Sequence, residues 1–304
     1  MDATIKKSMR EIGGASISFD VPMSQYTTFK VGGNVDAMYR AGNLEELKEM
    51  MAFVVDEGIP YLTIGRGSNL LVRDGGLNGL AIIMDGAFTS IEHTTPAEPY
   101  IIAGPGLALH KLVDFCTEKG LAGAEFLAGI PGTVGGAVAM NAGSGGEEIE
   151  GLIRKVTVLT RSGVVERRDS STLTFQYRGL DLHRGEIILH ARLNLNFDKP
   201  ASIRKRVTSN IKRRNERFPL DMPSAGSVFK NPDGDHAGRL IDAAGLKGRR
   251  VGGAMISPRH ANFIVNTGRA SASDIVALMD LAREKVREMF NIQLVAEIKV
   301  VGKG

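Results

Sequence analysis

Apolar residues recur at helical spacing in separate stretches of the chain, and each stretch has a recognisable end. Asn43 and Glu46 resemble a helix-capping pair, and the apolar positions after them predict an amphipathic helix that ends at Gly58. Residues 107–119 predict a second helix, which ends at Gly120. Ser271 and Asp274 form a capping pair for a long third helix. Its apolar stripe consists of Ile275, Leu278, Ala282, Val286 and Met289.

Alternating apolar and polar residues predict strands between these helices. Tyr61–Ile64 is a short strand, and residues 156–159 and 164–166 form a hairpin around Arg161-Ser162-Gly163. Residues 187–197 and 294–301 alternate over longer stretches. Because strands and helices are mixed throughout, the pattern predicts an α+β or α/β protein with a boundary near residue 198.

Beyond that boundary, residues 201–217 predict a helix with Ile203, Val207 and Ile211 on one side and basic residues around the rest. One interpretation is a solvated basic face. The other is a positive rim that attracts a phosphorylated substrate.

Composition narrows the class of protein. The 304 residues are enough for two or three compact units, and 43% hydrophobic and 24% charged residues are ordinary for a globular protein. The single cysteine, Cys116, excludes an intramolecular disulfide, fits a reducing compartment and lies in an apolar pattern typical of a buried structural thiol. The polar first twelve residues and the lack of a long apolar run predict a cytoplasmic protein without a signal peptide or membrane span.

The net charge and the histidine spacing bear on two further possibilities, nucleic-acid binding and metal binding. The net charge of +4 comes without a basic tail, so anionic small molecules explain it as well as nucleic acid does. The six histidines show no metal-binding spacing, so we predict no metal site.

Two glycine-rich loops carry the most information about ligands. The first runs from Gly65 through Arg66, Gly67, Ser68 and Asn69 to Leu70, and the second covers residues 129–143. Neither matches the dinucleotide fingerprint or the P-loop. Each alone is consistent with a tight connection between strands. Together they favour a large ligand with a phosphate chain, because consecutive backbone N–H groups in such loops bind anions.

Three residues stand out as candidates for chemistry, although each has an ordinary interpretation. Ser227 lies in a Gly-Ser-Val-Phe-Lys-Asn loop and can be a simple turn hydroxyl. Arg178 follows Tyr177 and can be either a surface charge or a fork for a carboxylate. Glu297 lies on the polar side of the terminal alternating segment, where an exposed strand residue is the plainest interpretation.

These segments, in order, closely resemble the UDP-N-acetylenolpyruvoylglucosamine reductase family. The matching motifs begin with Thr27-Thr28-Phe29-Lys30-Val31-Gly32-Gly33 and the first glycine loop. Gly129-Ile130-Pro131-Gly132 running to Met140-Asn141-Ala142-Gly143, then Tyr177-Arg178, Gly226-Ser227-Val228-Phe229-Lys230-Asn231-Pro232 and Glu297 complete the set. The resemblance covers residues 20–301, and six motifs in order are highly specific.

The resemblance implies an α+β protein with an FAD-binding domain of the vanillyl-alcohol-oxidase/CO-dehydrogenase (PCMH) type. That domain is expected at 31–197, as two subdomains divided near residue 86. It is expected after an N-terminal segment at 1–30 and before a substrate domain at 198–304 whose last strand returns to the flavin. The expected FAD contacts are Gly65, Arg66, Gly67, Ser68, Asn69, Leu70, Ile130, Pro131, Gly132, Thr133, Gly135, Gly136, Ala137 and Asn141.

The resemblance also implies a reaction. NADPH reduces FAD, and the reduced flavin delivers hydride to the enolpyruvyl methylene carbon of the UDP-sugar. Arg178, assisted by Glu297, stabilises the developing negative charge, and Ser227 donates a proton to the adjacent carbon. Tyr177, Lys230 and Asn231 are expected to contact the substrate, and no nucleic acid, membrane or obligate protein partner is expected.

Two departures from the family pattern are visible. Arg178 is followed within a few residues by the next strand, so the chain resembles the shorter branch of the family, which lacks a tyrosine-bearing loop. Ser144-Gly145-Gly146 stands where relatives often continue with a tyrosine.

Two alternatives stay open at this point. One is another FAD-dependent oxidase or dehydrogenase of the same fold that acts on a different sugar or alcohol. The other is a nucleotide- or nucleic-acid-binding protein that uses the basic helix, for which steep salt dependence of binding would be diagnostic.

Overall fold

The helices begin and end at residues whose chemistry predicts it. In the computed structural model, which describes residues 1–304, Oδ1 of Asn43 accepts the N–H of Glu46 at 3.0 Å. Ser271 and Asp274 form a reciprocal capping box, and Gly120 ends its helix in the left-handed conformation. The seven α-helices are α1 (Ala3–Gly13), α2 (Leu44–Asp56), α3 (Leu109–Lys119), α4 (Val134–Ala139), α5 (Pro200–Arg217), α6 (Ala237–Ala243) and α7 (Ala272–Phe290).

The strands are mostly short, and many belong to small two-stranded pairings. They are β1 (Ile17–Pro22), β2 (Asn34–Ala41), β3 (Tyr61–Ile64), β4 (Leu70–Val72), β5 (Leu77–Met84), β6 (Ile91–Glu92), β7 (Tyr100–Ala103), β8 (Leu121–Ala122), β9 (Gly143–Ser144), β10 (Glu147–Glu148), β11 (Ile153–Leu159), β12 (Val165–Asp169), β13 (Phe175–Gln176), β14 (Gly179–Leu180), β15 (Ile187–Asn194), β16 (Asn196–Phe197), β17 (Arg250–Val251), β18 (Ala254–Ile256), β19 (Ile264–Asn266) and β20 (Lys299–Val301).

Two larger sheets organise these strands. The four-stranded sheet has the order β1-β2-β5-β3, with β3 parallel to β5. The five-stranded sheet has the order β12-β11-β15-β7-β6 and is antiparallel. Its β11–β12 pair, in register at Leu159 and Val165, confirms the hairpin predicted around residues 161–163. The chain therefore has the mixed α+β character that the sequence predicts.

The chain divides into two compact units, each built from separate stretches of sequence. Unit 1 comprises Met1–Phe19, Ala37–Arg66 and Gly79–Arg213. Unit 2 comprises Asp20–Asp36, Gly67–Asn78 and Arg214–Gly304. The two units are defined by the contacts within the chain, whereas the predicted domains are defined by the ligand that each is expected to bind. The domain boundaries therefore stay a prediction.

Unit 1 contains two hydrophobic cores. One packs α1 and α2 against the four-stranded sheet and includes Met9, Tyr39 and Leu47. The other packs α3 and α4 against the five-stranded sheet, and Cys116 is buried in it. Burial raises the pKa of the Cys116 thiol to about 12, and the nearby Glu125 adds to the effect. Cys116 is therefore the buried thiol that its apolar surroundings predict, and it stays protonated at neutral pH.

Unit 2 has one core, formed by α6, α7, the β17-β18-β19 sheet and part of the N-terminal third of the chain. Phe29 belongs to this core, and its carbonyl accepts the buried side-chain amide of Asn266 at 3.0 Å. Asp74 accepts the N–H groups of Ala272 and Ser273 at 2.8 and 2.9 Å, which secures the first turn of α7. Stretches far apart in sequence are thus joined by hydrogen bonds at helix and strand ends.

Two expectations from the hydrophobic pattern are wrong in detail. Only Lys299–Val301 of the segment 294–301 is a strand, because the residues before it pair by a single bridge, Phe229 with Ala296. Met289 belongs to the predicted stripe of α7, yet it is 55% exposed. It lies in the last turn, where Phe290 rather than Met289 packs against the core.

Helix α5 uses part of its basic face for structure. Arg206 donates to Glu125 at 2.7 Å and to Asp198 at 2.7 Å, and the Asn210 amide donates to the Glu125 carbonyl at 2.8 Å. Ile203 is the buried apolar residue of this helix. No helix of the structure is long and apolar enough to cross a bilayer.

Candidate functional site

The first glycine loop begins where β3 ends, and its conformation depends on the absence of side chains. A Cβ on Gly65 would lie 2.6 Å from Oγ1 of Thr133, so the two predicted glycine loops touch at this point within unit 1. Gly67 has a φ of 62°, and a Cβ there would overlap the carbonyl oxygen of Tyr26. Only glycine satisfies both the φ and the close approach of this second backbone.

The downstream half of that loop is held by the end of the chain. Within unit 2, Nδ2 of Asn69 donates to the carbonyl of Glu297 at 3.1 Å, and the N–H of Lys299 donates to the carbonyl of Asn69 at 3.0 Å. Strand β4 then pairs with β20 in parallel, with Leu70 in register with Lys299. The backbone of a predicted catalytic residue, Glu297, is therefore fixed to a predicted cofactor loop.

The second glycine loop leads into the short helix α4. Oγ1 of Thr133 accepts the N–H of Gly136 at 3.4 Å as the N-cap of this helix. A Cβ on Gly135 would lie 2.7 Å from Cβ of Pro105, whereas Gly136 is exposed and meets no atom closer than Oγ1 of Thr133 at 3.5 Å. Some glycines of this loop therefore allow close packing inside unit 1, and others leave an open backbone surface.

A flavin nucleotide fits this surface. Gly65, Arg66, Pro131 and Gly136 are exposed within unit 1, and Gly65 contacts the loop that carries the other two. No side chain covers the backbone at either exposed glycine, and backbone N–H groups in such loops are donors that phosphates prefer.

Arg178 lies on the same unit as this surface. Tyr177 and Arg178 form the two-residue turn between β13 and β14, and Arg178 has a φ of 61°. Its guanidinium stacks over the Tyr177 ring, 4.8 Å from the ring centroid, and Nη1 lies 3.3 Å from the Glu148 carboxylate. Tyr177 is 43% exposed, so the tip of this hairpin presents an aromatic ring and a cation together.

Asn141 closes the second glycine loop against this hairpin. It is fully buried, and its amide donates to Glu148 at 2.8 Å, to Glu150 at 3.2 Å and to the carbonyl of Gln176 at 3.2 Å. Its Oδ1 accepts the N–H of Glu150 at 3.1 Å. The side chain thus makes four hydrogen bonds with three residues within unit 1, and a contact between Asn141 and FAD is expected through its backbone.

Ser227, Lys230 and Glu297 occupy one short antiparallel pairing in unit 2. The N–H of Glu297 donates to the carbonyl of Val228 at 2.8 Å, and the N–H of Lys230 donates to the carbonyl of Val295 at 2.8 Å. All three residues are half-buried. The pairing therefore places the predicted proton donor and a cation on one segment and the carboxylate on the segment that faces it.

Asn231 has a contact of its own. Its Oδ1 accepts the N–H of Ala237 at 3.1 Å at the start of α6, while the residue itself is exposed. Its predicted role toward the substrate stays a prediction.

Sequence reasoning missed two residues that the structure places beside the candidates. Glu148 contacts Arg178, and Asn262 binds the backbone of Phe229. The position of Glu148 could have been predicted from the sequence, because the Gly145-Gly146 pair is typical of a two-residue hairpin turn. In the structure both glycines have positive φ values, 68° and 92°, in such a turn. That turn places Glu148 opposite Gly143 and accounts for the Ser144-Gly145-Gly146 departure.

The fold and the two glycine loops define a class of flavoprotein. Residues 35–168 match the family described as "FAD binding domain", and residues 218–301 match "UDP-N-acetylenolpyruvoylglucosamine reductase, C-terminal domain". The expected fold of an α+β, PCMH-type FAD-binding domain with two subdomains and a C-terminal α+β domain is confirmed.

Relatives define the family itself. The chain is 43% identical over 284 residues to the UDP-N-acetylenolpyruvoylglucosamine reductase of Moorella thermoacetica, covering 93% of this chain and 92% of that protein. It is 39% identical over 303 residues to the one of Syntrophus aciditrophicus, covering 99% and 97%. The chain belongs to the UDP-N-acetylenolpyruvoylglucosamine reductase family.

A solved structure agrees with this assignment. The crystal structure of UDP-N-acetylenolpyruvylglucosamine reductase from Thermus caldophilus superposes with a TM-score of 0.80 at 38% identity, covering 92% of this chain and 97% of that one. The chain is therefore an FAD-dependent oxidoreductase of a family whose reductant is NADPH.

Proposed function

We propose that this protein reduces the enolpyruvyl group of UDP-N-acetylglucosamine enolpyruvate to give UDP-N-acetylmuramate, with NADPH as the source of electrons. This reaction belongs to peptidoglycan precursor synthesis, on which cell-wall formation, cell shape and division depend. The observation that carries the proposal is the pairing of the segment that contains Ser227 and Lys230 with the segment that contains Glu297, in a chain of this family.

The two glycine loops are proposed to hold FAD, with its diphosphate and isoalloxazine lined by residues 65–70 and 130–137. When bound, FAD takes two electrons from NADPH and supplies them as hydride to the methylene carbon of the substrate. The predicted division into an FAD-binding domain at 31–197 and a substrate domain at 198–304 is part of this proposal.

Arg178 is proposed to face the substrate carboxylate. Negative charge develops there as the double bond is reduced, and a preorganised cation aimed at that charge contributes about 10²–10³-fold in rate. The left-handed turn and the Tyr177 ring support this role, because both restrict where the guanidinium points. Glu297 is proposed to assist as a hydrogen-bonding partner of the substrate.

Ser227 is proposed to donate its Oγ proton to the carbon next to the reduced methylene carbon. A positioned donor contributes about 10²–10⁴-fold. Lys230 follows three residues later on the same extended segment, and a nearby ammonium stabilises the alkoxide that Ser227 leaves. Lys230, Asn231 and Tyr177 are also proposed to contact the UDP-sugar.

An anaerobic visible spectrum tests the proposal directly. We expect flavin bands in the purified protein that bleach on addition of NADPH and return on addition of UDP-N-acetylglucosamine enolpyruvate. Bleaching without return would assign the protein to a different substrate, as for another FAD-dependent dehydrogenase of this fold. Failure to bind any flavin would contradict the assignment of both glycine loops.

A further inference from the structure

Arg178 has a backbone conformation that needs support from its surroundings. Its φ of 61° lies in the left-handed region, which is unfavourable for a residue with a long side chain. Such residues persist where neighbouring contacts determine their geometry. The question is therefore which contacts hold Arg178 and its guanidinium.

Glu148 makes the contact that bears on the guanidinium itself. One carboxylate oxygen lies 3.3 Å from Nη1 of Arg178, and the other accepts the buried amide of Asn141 at 2.8 Å. A carboxylate that is held on one side by a fully buried amide has a fixed direction on the other side. Glu148 therefore offers Arg178 a rigid partner rather than a mobile surface charge.

Two further features of the structure allow Glu148 and Arg178 to lie close together. A Cβ on Gly143, opposite Glu148 on β9, would lie 2.8 Å from Cγ of Glu148 and 3.2 Å from Nη1 of Arg178. The same Asn141 amide donates to the carbonyl of Gln176, two residues before Arg178. The β9–β10 hairpin and the β13–β14 hairpin are thus joined through the Asn141 side chain as well as through the ion pair.

We infer that Glu148 is the positioning residue for Arg178, and that Asn141 fixes the direction of the Glu148 carboxylate. The inference rests on the proposed function, in which Arg178 faces the substrate carboxylate. An arginine presents its donors in a fixed plane, so a bond to one Nη sets the direction of the others. Glu148 thus decides where the charge of Arg178 is aimed.

A purely electrostatic role of Glu148 predicts that removing its charge changes the rate of reoxidation in the opposite direction from a positioning role. A carboxylate next to Arg178 lowers the positive potential that an anionic substrate meets, so removing its charge would strengthen attraction. If positioning dominates, removing the charge slows the reaction instead. The sign of the effect of Glu148→Gln therefore distinguishes the two.

The experiment compares Glu148→Gln, Arg178→Ala, the double variant and Glu147→Gln, with both half-reactions followed by stopped-flow absorbance of the FAD-loaded proteins. Gln replaces one of the two carboxylate oxygens by an NH2 group, so it cannot accept at both of the positions that Asn141 and Arg178 contact. We expect reoxidation by UDP-N-acetylglucosamine enolpyruvate to be about 10–100-fold slower in Glu148→Gln, the size of effect that a misplaced group causes. Reduction by NADPH and flavin content are expected to stay at the wild-type values.

The double variant provides the readout that a merely structural role would not give. If Glu148 acts through Arg178, then Glu148→Gln adds no further loss of reoxidation rate in the Arg178→Ala background. Glu148→Asp, which keeps the charge, is expected to recover part of the rate. Glu147→Gln, the exposed neighbour on the same hairpin, is the matched control and is expected to behave as wild type.

Several outcomes would overturn the inference. Wild-type or faster reoxidation in Glu148→Gln would make the pair an ordinary surface contact. Additive losses in the double variant, or loss of flavin from both Glu148→Gln and Glu148→Asp, would assign Glu148 a role that does not pass through Arg178. Unchanged reoxidation in Arg178→Ala would instead contradict the proposed role of Arg178, which separates that failure from the others.

Discussion

The side-chain amide of Asn262 makes the two hydrogen bonds that a neighbouring strand would otherwise make with the backbone of Phe229. Its Nδ2 donates to the Phe229 carbonyl at 2.8 Å, and its Oδ1 accepts the Phe229 N–H at 3.0 Å. The backbone carbonyl of Asn262 also accepts the N–H of Val228 at 2.8 Å. The segment directly after Ser227 is therefore held by one buried residue on one side and by the segment around Ala296 on the other.

Replacing Asn262 by alanine is expected to destabilise unit 2. The change leaves a buried N–H and a buried carbonyl of Phe229 without partners, and each such group costs about 1–3 kcal/mol. We expect the free energy of unfolding to fall by about 2–4 kcal/mol, measured by urea denaturation. Asn262→Asp keeps an acceptor for the Phe229 N–H but places a second oxygen against the Phe229 carbonyl, so it is also expected to be destabilised. Equal stability of wild type and Asn262→Ala would contradict the structural role.

Ser227→Ala separates proton donation from electron transfer to the flavin. We expect reduction by NADPH at the wild-type rate and reoxidation by the UDP-sugar slower by about 10²–10⁴-fold, because only the second half-reaction needs the proton. Stopped-flow absorbance of the flavin measures both. Ser224→Ala, three residues earlier in the same loop, is the matched control. Equal losses in both half-reactions would make Ser227 a structural residue.

The contact between the two glycine loops can be tested at Gly65. A Cβ at Gly65 would press on Oγ1 of Thr133, so Gly65→Ala is expected to weaken FAD binding by about tenfold, equivalent to about 1.4 kcal/mol. Calorimetric titration of the apoprotein with FAD measures this change. Thr133→Ala removes the overlapping oxygen, so adding Gly65→Ala in that background should cost less affinity than it does in the wild type.

Gly42→Ala is the control for that experiment, because a Cβ at Gly42 meets no atom within 4 Å. Wild-type affinity in Gly65→Ala would exclude this part of the loop from the cofactor site.

The stability of unit 2 is expected to depend on pH through His260. Its ring packs 4.9 Å from the Phe263 ring and 5.3 Å from the Phe218 ring. Burial, together with the smaller effect of the charges of Arg217 and Lys247, lowers the pKa of His260 from 6.5 to about 4. The folded protein thus keeps this imidazole neutral at a pH where the unfolded chain binds a proton.

The direction of the pH dependence follows from the difference between the pKa of His260 in the folded and unfolded states. Between pH 6.5 and about 4 the unfolded state binds more protons at this position, so stability falls as the pH falls and levels off below the folded pKa. One proton gives a slope of at most about 1.4 kcal/mol per pH unit. Urea unfolding between pH 7 and 4 should show a shallower slope for His260→Gln than for wild type. His183→Gln, at an exposed position, is the matched control, and parallel slopes for all three proteins would contradict the expectation.

The helix ends could be predicted from local residue types, whereas strand pairing between distant segments could not be predicted from the hydrophobic pattern. Asn43, Gly120 and Ser271 act within one turn of their own helix, so their residue types suffice. The alternation of residues 294–301 could not reveal that only its end forms a ladder, since that depends on β4, more than two hundred residues away. In the same way, motif residues such as Arg178 were visible, but their partners were not. Glu148 and Asn262 gain meaning only from contacts with residues 30 and 33 positions away.

The hydrogen bond from Asn69 to Glu297 joins residues 228 positions apart, and strand β20, the partner of β4, is similarly distant from it in the sequence. On a ribosome that adds about 5–20 residues per second, the nascent first glycine loop waits on the order of ten to fifty seconds for the strand that fixes its downstream half. Synthesis of this loop and its stabilisation are therefore separate events in time. A chain that stops before Lys299 would contain the whole loop and still lack the strand that holds it.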